Sequence, residues 1–257
     1  MNLGDKRNPN IGLTKVGLIL PSVNCIIEPE FYAVAPQGIS FHSTRVLLTE
    51  TTPEALMRME EDLDQAARLI ETINPHAVVY ACTSGSFVKG LGWDRWIVDK
   101  LQSIVGCPAI TTSTAMVEAL RALGIRRVSL ATPYLEVVNE REVEFLQKSG
   151  FEVVCCRGLG LSGRTIREQP PEKVYELAKR ADVPEADGLF ISCTDFRAIE
   201  VIDLLETELK KPVLSSNQVT LWALLRILKQ PDLVKGFGRL LAEMPAFHRE
   251  GHEQSDS

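Results

Sequence analysis

The sequence predicts an α/β protein made of two pseudo-symmetric, doubly wound half-domains, each built on a mostly parallel four-stranded sheet. Three observations lead there. Short apolar runs of strand length alternate along most of the chain with segments whose apolar residues recur every three to four positions, and such alternation demands crossover connections. Landmarks also repeat. Val78-Val79-Tyr80-Ala81-Cys82-Thr83-Ser84 is echoed by Leu189-Phe190-Ile191-Ser192-Cys193-Thr194-Asp195, which puts the two cysteines 111 residues apart. Val16 to Ser22 is echoed by Val128 to Tyr134 at an interval of 112, and Pro108-Ala109-Ile110-Thr111-Thr112 by Pro212-Val213-Leu214-Ser215-Ser216 at 104. Three landmarks in one order at similar spacing indicate an internal duplication. Finally, glycines and prolines stand where such elements need to stop and start.

Residues 1–13 carry Gly, Pro and Asn without periodicity and are expected to form a flexible arm. Val16 to Leu20 is a buried-type strand that turns at Pro21-Ser22, and Ser40 to Leu48 is a second strand. Pro53 opens a helix with Leu56, Met59, Leu63, Ala66, Ala67 and Ile70 on one face, ended by Pro75. A strand at 77–82, a Gly-bearing loop from Gly85 to Gly92, a helix from Trp93 to Val105 and a strand at 109–111 follow. The helix from Ser113 to Leu123 is stopped by Gly124. The scheme then repeats with strand 127–132, helix 134–149, strand 152–156, a helix opened by Pro170-Pro171 that runs to Ala181, strand 188–193, helix 197–209, strand 212–215 and helix 217–229. The expected units are residues 14–120 with 217–245, and residues 121–216, followed by a disordered polar tail at 246–257.

Composition excludes several function classes. The net charge is −6 with acids and bases interspersed, so no nucleic-acid or anionic-membrane partner is expected. No window approaches the roughly 20 apolar residues of a membrane span, and no signal-type cleavage site follows Val16; the expectation is a cytoplasmic protein. The six cysteines lack CxxC spacing, and none of the four histidines neighbours one, so neither a disulfide framework nor a metal site is expected.

The chemistry rests on Cys82 and Cys193. Each ends an apolar strand and is followed by Thr, in the place beyond a strand's carboxyl end where doubly wound sheets bind ligands. A free thiol with a pKa of about 8.5 is only slightly ionised at neutral pH, but backbone N–H groups and the positive end of a helix dipole at such a turn favour thiolate. Cysteine is also a common core residue, and either one alone reads equally well as packing. Repetition of the pair points to two thiols facing one substrate from opposite sides, one attacking or deprotonating while the other delivers a proton. Racemisation at carbon and thiolate addition to an activated C=C both suit that geometry. The Gly158 to Gly163 stretch spells G-x-G-x-x-G, but Pro170-Pro171 defer the helix that a dinucleotide fingerprint requires.

These strand ends, with Pro21-Ser22-Val23-Asn24, Glu28-Pro29-Glu30-Phe31, Thr112-Ser113-Thr114-Ala115, Leu120 to Val128 and Ala131-Thr132-Pro133-Tyr134 followed by Val138-Asn139-Glu140-Arg141, resemble the Asp/Glu racemase superfamily in its maleate cis-trans isomerase and arylmalonate decarboxylase branch. The resemblance covers residues 14 to 230. It implies a cofactor-independent isomerase acting on a small unsaturated dicarboxylic acid such as maleate, in a homodimer, with Cys82 as nucleophile and Cys193 as acid/base. It further implies that Asn24, Thr83, Ser84, Tyr134 and Thr194 hold a substrate carboxylate. The decarboxylase has glycine where this chain has Cys82, which favours the isomerase, with an amino-acid or hydantoin racemase or a decarboxylase as alternatives. The maleate branch carries an asparagine soon after the strand containing Cys156, where this chain has Gly158 to Arg164. Arg164, Arg167 and Arg197 are therefore further candidates to meet an acid.

Overall fold

In the computed structural model, residues 14–230 and 233–243 are described; the expected arm at 1–13 and tail at 246–257 lie outside them. Eight strands form two four-stranded sheets of the same design. The first comprises β1 (Thr14–Pro21), β2 (Ile39–Val46), β3 (Ala77–Tyr80) and β4 (Ala109–Thr111) in the order β2-β1-β3-β4. The second comprises β5 (Arg127–Tyr134), β6 (Glu152–Leu161), β7 (Gly188–Ile191) and β8 (Val213–Ser215) in the order β6-β5-β7-β8. Every pairing is parallel. Equivalent landmarks of the duplication occupy equivalent strands, so the repeat in sequence is a repeat in topology.

The central strands β1, β3, β5 and β7 are apolar on both faces because helices cover both faces. Each fully buried Leu, Ile or Val in them contributes roughly 1.5–3 kcal/mol by leaving water. The covering helices are α1 (Ile27–Val34), α2 (Pro53–Arg58), α3 (Leu63–Glu71), α4 (Thr83–Phe87), α5 (Trp93–Val105), α6 (Thr112–Ala122), α7 (Glu136–Lys148), α8 (Pro171–Ala181), α9 (Ile202–Leu209), α10 (Ser216–Ile227) and α11 (Arg239–Glu243). Helices α6 and α10 hold the halves together. Each starts directly from a strand end with a hydroxyl cap: Thr111 Oγ1 accepts the Thr114 N–H at 3.0 Å, and Ser215 Oγ the Gln218 N–H at 3.3 Å. Facing threonines bond across the seam, Thr220 Oγ1 to Thr112 Oγ1 at 3.2 Å.

Several elements differ from expectation, among them the helix expected over 134–149, which starts at Glu136 because Tyr134 ends β5. The helix opened by Pro53 is interrupted at residues 59–62, where Glu60-Glu61-Asp62 bring three carboxylates together while Met59 and Leu63 still turn inward. Helix α1 arises in a stretch with little helical pattern, with Pro29 tolerated in its first turn. Strand β6 continues through Gly158 and Gly160 to Leu161. Helix α9 begins at Ile202 rather than 197, so Arg197 precedes it.

Candidate active site

Both cysteines emerge at carboxyl ends of central strands. Cys82 has extended backbone and caps α4: its Sγ accepts the Gly85 N–H at 3.3 Å and lies 3.8 Å from Ser84 Oγ. Only glycine fits at position 85, since a Cβ there would come within 2.9 Å of the Cys82 sulfur and 3.0 Å of the Tyr80 hydroxyl. The loop expected from Gly85 to Gly92 is only partly formed. Its first residues belong to α4, which is buried around Phe87, and only Lys89 to Gly92 reach the surface.

Cys193 follows β7 with a φ of +92°, a region that a non-glycine residue occupies at a cost of order 1–3 kcal/mol and mostly at functional sites. Its N–H donates to Ser216 Oγ at 2.9 Å, and its Sγ accepts the Asp195 N–H at 3.4 Å. The threonines after the cysteines tie the halves together. Thr83 Oγ1 donates to Ser216 Oγ at 2.8 Å, while Thr194 Oγ1 donates to the Ala81 carbonyl at 3.1 Å and accepts from Asn24 Nδ2 at 2.9 Å. Asn24 Oδ1 meanwhile accepts the N–H groups of Ile26 and Ile27 ahead of α1. It is at once a turn-forming amide and a cavity residue.

One cavity gathers these groups. Cys82, Cys193, Asn24, Thr83, Ser84, Tyr134 and Thr194 all line it, so every site residue expected from the sequence meets in one place. Two loops, one from each half, cross its edge: the Thr51 N–H donates to Ser162 Oγ at 2.7 Å, and the Gly163 N–H returns to Thr51 Oγ1 at 3.3 Å. Thr51, Leu48 and Ile166 line the cavity but carried no sequence signal, and Gly163, which also lines it, stood out only as the last glycine of the G-x-G-x-x-G stretch. Asp195 also lines it, and its place two residues after Cys193 within the repeated motif was the available clue. Of the three candidate arginines, Arg164 and Arg197 lie outward beside Glu168 and Glu200. Arg167 alone approaches, donating to the Val23 carbonyl at 2.6 Å and standing 3.9 Å from Asp195 Oδ2.

Burial dominates the electrostatics. The sequence argument that a helix start favours thiolate is overturned: removal from water pushes the Cys82 thiol up to about 11, against the opposing pull of the Gly85 N–H and Ser84, with the Asp195 charge adding to the rise. Cys193 is raised further by burial and then by Asp195. Asp195 itself is pushed up to about 6 by burial, against the pull of the Cys25 N–H and Arg167. Behind Tyr134 sits a second buried acid, Glu142, which accepts from Ser192 Oγ at 2.7 Å; Ser192 Oγ is 3.4 Å from the Tyr134 hydroxyl, and burial lifts Glu142 to about 8. Both thiols are thus neutral at pH 7 in the free protein, with Cys82 the first to ionise.

The fold matches that of known proteins. A family model described as arylmalonate decarboxylase matches residues 16–241. The chain belongs to the arylmalonate decarboxylase family. Within this family it is 32% identical to a maleate isomerase from Nocardia farcinica over 244 residues, covering 91% of this chain and 97% of that protein. It is 30% identical to an arylmalonate decarboxylase from Bordetella bronchiseptica, covering 89% and 96%. A solved structure of the Nocardia farcinica maleate cis-trans isomerase, a cysteine-to-serine variant with a covalently bound succinylcysteine intermediate, aligns with a TM-score of 0.87 at 30% identity, covering 90% and 99%. A maleate isomerase from Pseudomonas putida solved with maleate aligns with a TM-score of 0.86 at 29% identity, covering 90% and 98%. Maleate isomerases from several organisms among these relatives make the chain an enzyme of the isomerase type. Among the described residues no helix is long and apolar enough to cross a membrane.

Proposed function

We propose that the chain is a cofactor-independent cis-trans isomerase of a small unsaturated acid of the maleate type, with Cys82 as nucleophile and Cys193 as proton donor and acceptor. The observation that carries this reading is the convergence of two thiols, one from each duplicated half, on one cavity lined by hydroxyls and an amide. The lower-lying Cys82 thiol first gives up its proton to water, which returns it at the end of the cycle, and its thiolate adds to one alkene carbon. The electron pair of the C=C moves toward the adjacent carboxylate, and the neighbouring carbon takes the Cys193 proton, leaving a saturated thioether on Cys82. The former double bond is now single and rotates. Cys193 thiolate then removes the proton from that carbon, the C=C re-forms, and Cys82 departs as thiolate, so protons and electrons balance over the cycle.

Charge builds on the carboxylate during addition, and donors fixed around it lower the barrier. Tyr134, Ser84 and the second N–H of Asn24 retain donor capacity for this, whereas the Thr83 and Thr194 protons are committed to Ser216 and Ala81. The two threonines set the geometry between the halves.

Incubation of the protein with maleate in deuterated water, followed by proton NMR, should give fumarate, and a Cys193→Ser variant should accumulate a thioether on Cys82 visible in the peptide mass. Loss of carbon dioxide from an arylmalonate, or deuterium at the α-carbon of an amino acid or hydantoin without isomerisation, would instead favour the decarboxylase or racemase reading. Absence of both fumarate and adduct would refute maleate as substrate.

A further inference from the structure

The cavity has one feature that a dianion does not suit. Asp195 lines it and is 5% exposed. Its Oδ1 accepts the Cys25 N–H at 2.8 Å, but among the described residues its buried Oδ2 has no hydrogen-bond partner; Arg167 stands 3.9 Å off and spends a donor on the Val23 carbonyl. Arg164 and Arg197 point elsewhere, and among the described residues no arginine or lysine lines the cavity.

A count of donors leads the same way. With the Thr83 and Thr194 protons committed, the side-chain hydroxyl and amide donors still open on the lining are those of Tyr134, Ser84, Thr51 and Asn24, all of them neutral groups with no positive charge to offset a second carboxylate. Besides the two thiols, the remaining lining is Pro21, Val23, Leu48, Gly163 and Ile166, together with an acceptor oxygen that lacks a donor among the described residues. A second substrate carboxylate would bring a charge of the same sign against Asp195 in a water-poor space. A group bearing N–H would satisfy the orphaned oxygen instead.

We infer that Asp195 is a specificity-determining residue, and that the site takes a small cis-unsaturated monoacid whose far end is a hydrogen-bond donor, such as the monoamide of maleic acid, in preference to the dianion. The carboxylate end rests near Tyr134, Ser84 and Asn24, and the amide N–H donates to Asp195 Oδ2. This rests on the reading that the cavity holds a small acid between the two cysteines. The chemistry at Cys82 and Cys193 is the same for amide and acid.

The test separates binding from reaction. Calorimetric titration of the whole protein at pH 8 with the saturated counterparts, succinamate and succinate, needs no catalysis. Succinamate is expected to bind at least about tenfold more tightly, because like charges brought together in a desolvated site are rejected by that order or more. Equal or tighter binding of succinate, or no measurable binding of succinamate, would overturn the inference. Kinetics provide a second arm: maleamate should surpass maleate in kcat/KM, and Asp195→Asn, which keeps the Oδ1 acceptor for Cys25, should raise kcat/KM for maleate relative to maleamate by about tenfold. An unchanged ratio in a folded variant counts against it. If succinamate binds as expected but neither unsaturated acid reacts, the isomerase reading falls and the recognition stands.

Discussion

Replacement of Glu142 by Gln removes a titrating group from the least hydrated part of the site, and its effect can be worked out in sign and size. Glu142 is fully buried; Oε1 accepts from Ser192, and Oε2 has no hydrogen-bond partner among the described residues. Burial lifts its pKa from the usual 4.5 to about 8. A carboxyl whose folded pKa is raised gives its full contribution below the unfolded value and loses it as pH rises through the folded one. Between pH 4.5 and 8 the unfolded chain has released this proton and the folded chain still holds it, so stability falls by about 1.4 kcal/mol per pH unit on this account. From pH 5 to 9 the loss amounts to on the order of 4 kcal/mol. Urea unfolding at both pH values, in wild type and Glu142→Gln, isolates this share, because contributions of Glu30 and the other acids cancel in the comparison. The variant should lose about 4 kcal/mol less than wild type over the interval, whatever the amide does to packing at either pH alone. Parallel losses in the two proteins would refute the claim that Glu142 is held neutral by burial. Since glutamine still accepts from Ser192, kcat/KM at pH 7 should change by less than about threefold, within what a loss below about 1 kcal/mol gives.

The remaining predictions concern the cavity itself. Gly85→Ala drives a methyl group against the Cys82 sulfur; it should cost about 1–3 kcal/mol in thermal or urea unfolding and lower kcat at least about a hundredfold, and a variant with wild-type kcat would contradict the close approach. Alkylation of Cys82 by iodoacetamide, read on its peptide by mass spectrometry, should keep rising about tenfold per pH unit through pH 10, because the thiol is held near 11; a plateau near pH 9 would show an ordinary thiol. Gly163→Ala places a Cβ on the Thr49 carbonyl at a φ of +56°, so stability should fall by about 1–3 kcal/mol and KM should rise as the loops part, with a neutral effect arguing against the seam.

Much of this molecule was legible in order of residues. The helix from Trp93 to Val105 and the strand at 109–111 match their expected bounds, because a sharp apolar period bounded by Gly92, Gly106 and Pro108 leaves little choice. Short elements escaped: α4 has five residues and a glycine, too few turns to show a period, and it forms because Cys82 and the packing of Phe87 hold it. The cysteines stood out because duplication marks a pair where one alone would read as packing. Asn24, Thr83, Ser84, Tyr134 and Thr194 were reachable through resemblance, and they do share the cavity with the cysteines.

What the sequence determined by itself was the two-fold α/β plan and the residues worth watching, since periodicity, punctuation and repetition are local properties of a chain. Tertiary structure decided the rest. The Thr51 and Gly163 seam spans 112 residues, and the Asn24 to Thr194 bond spans 170, separations at which no motif exists. Charge state was likewise out of reach, because the depth of burial that keeps Cys82, Glu142 and Asp195 protonated to higher pH belongs to the assembled halves, and desolvation there outweighs the helix start that the sequence displays.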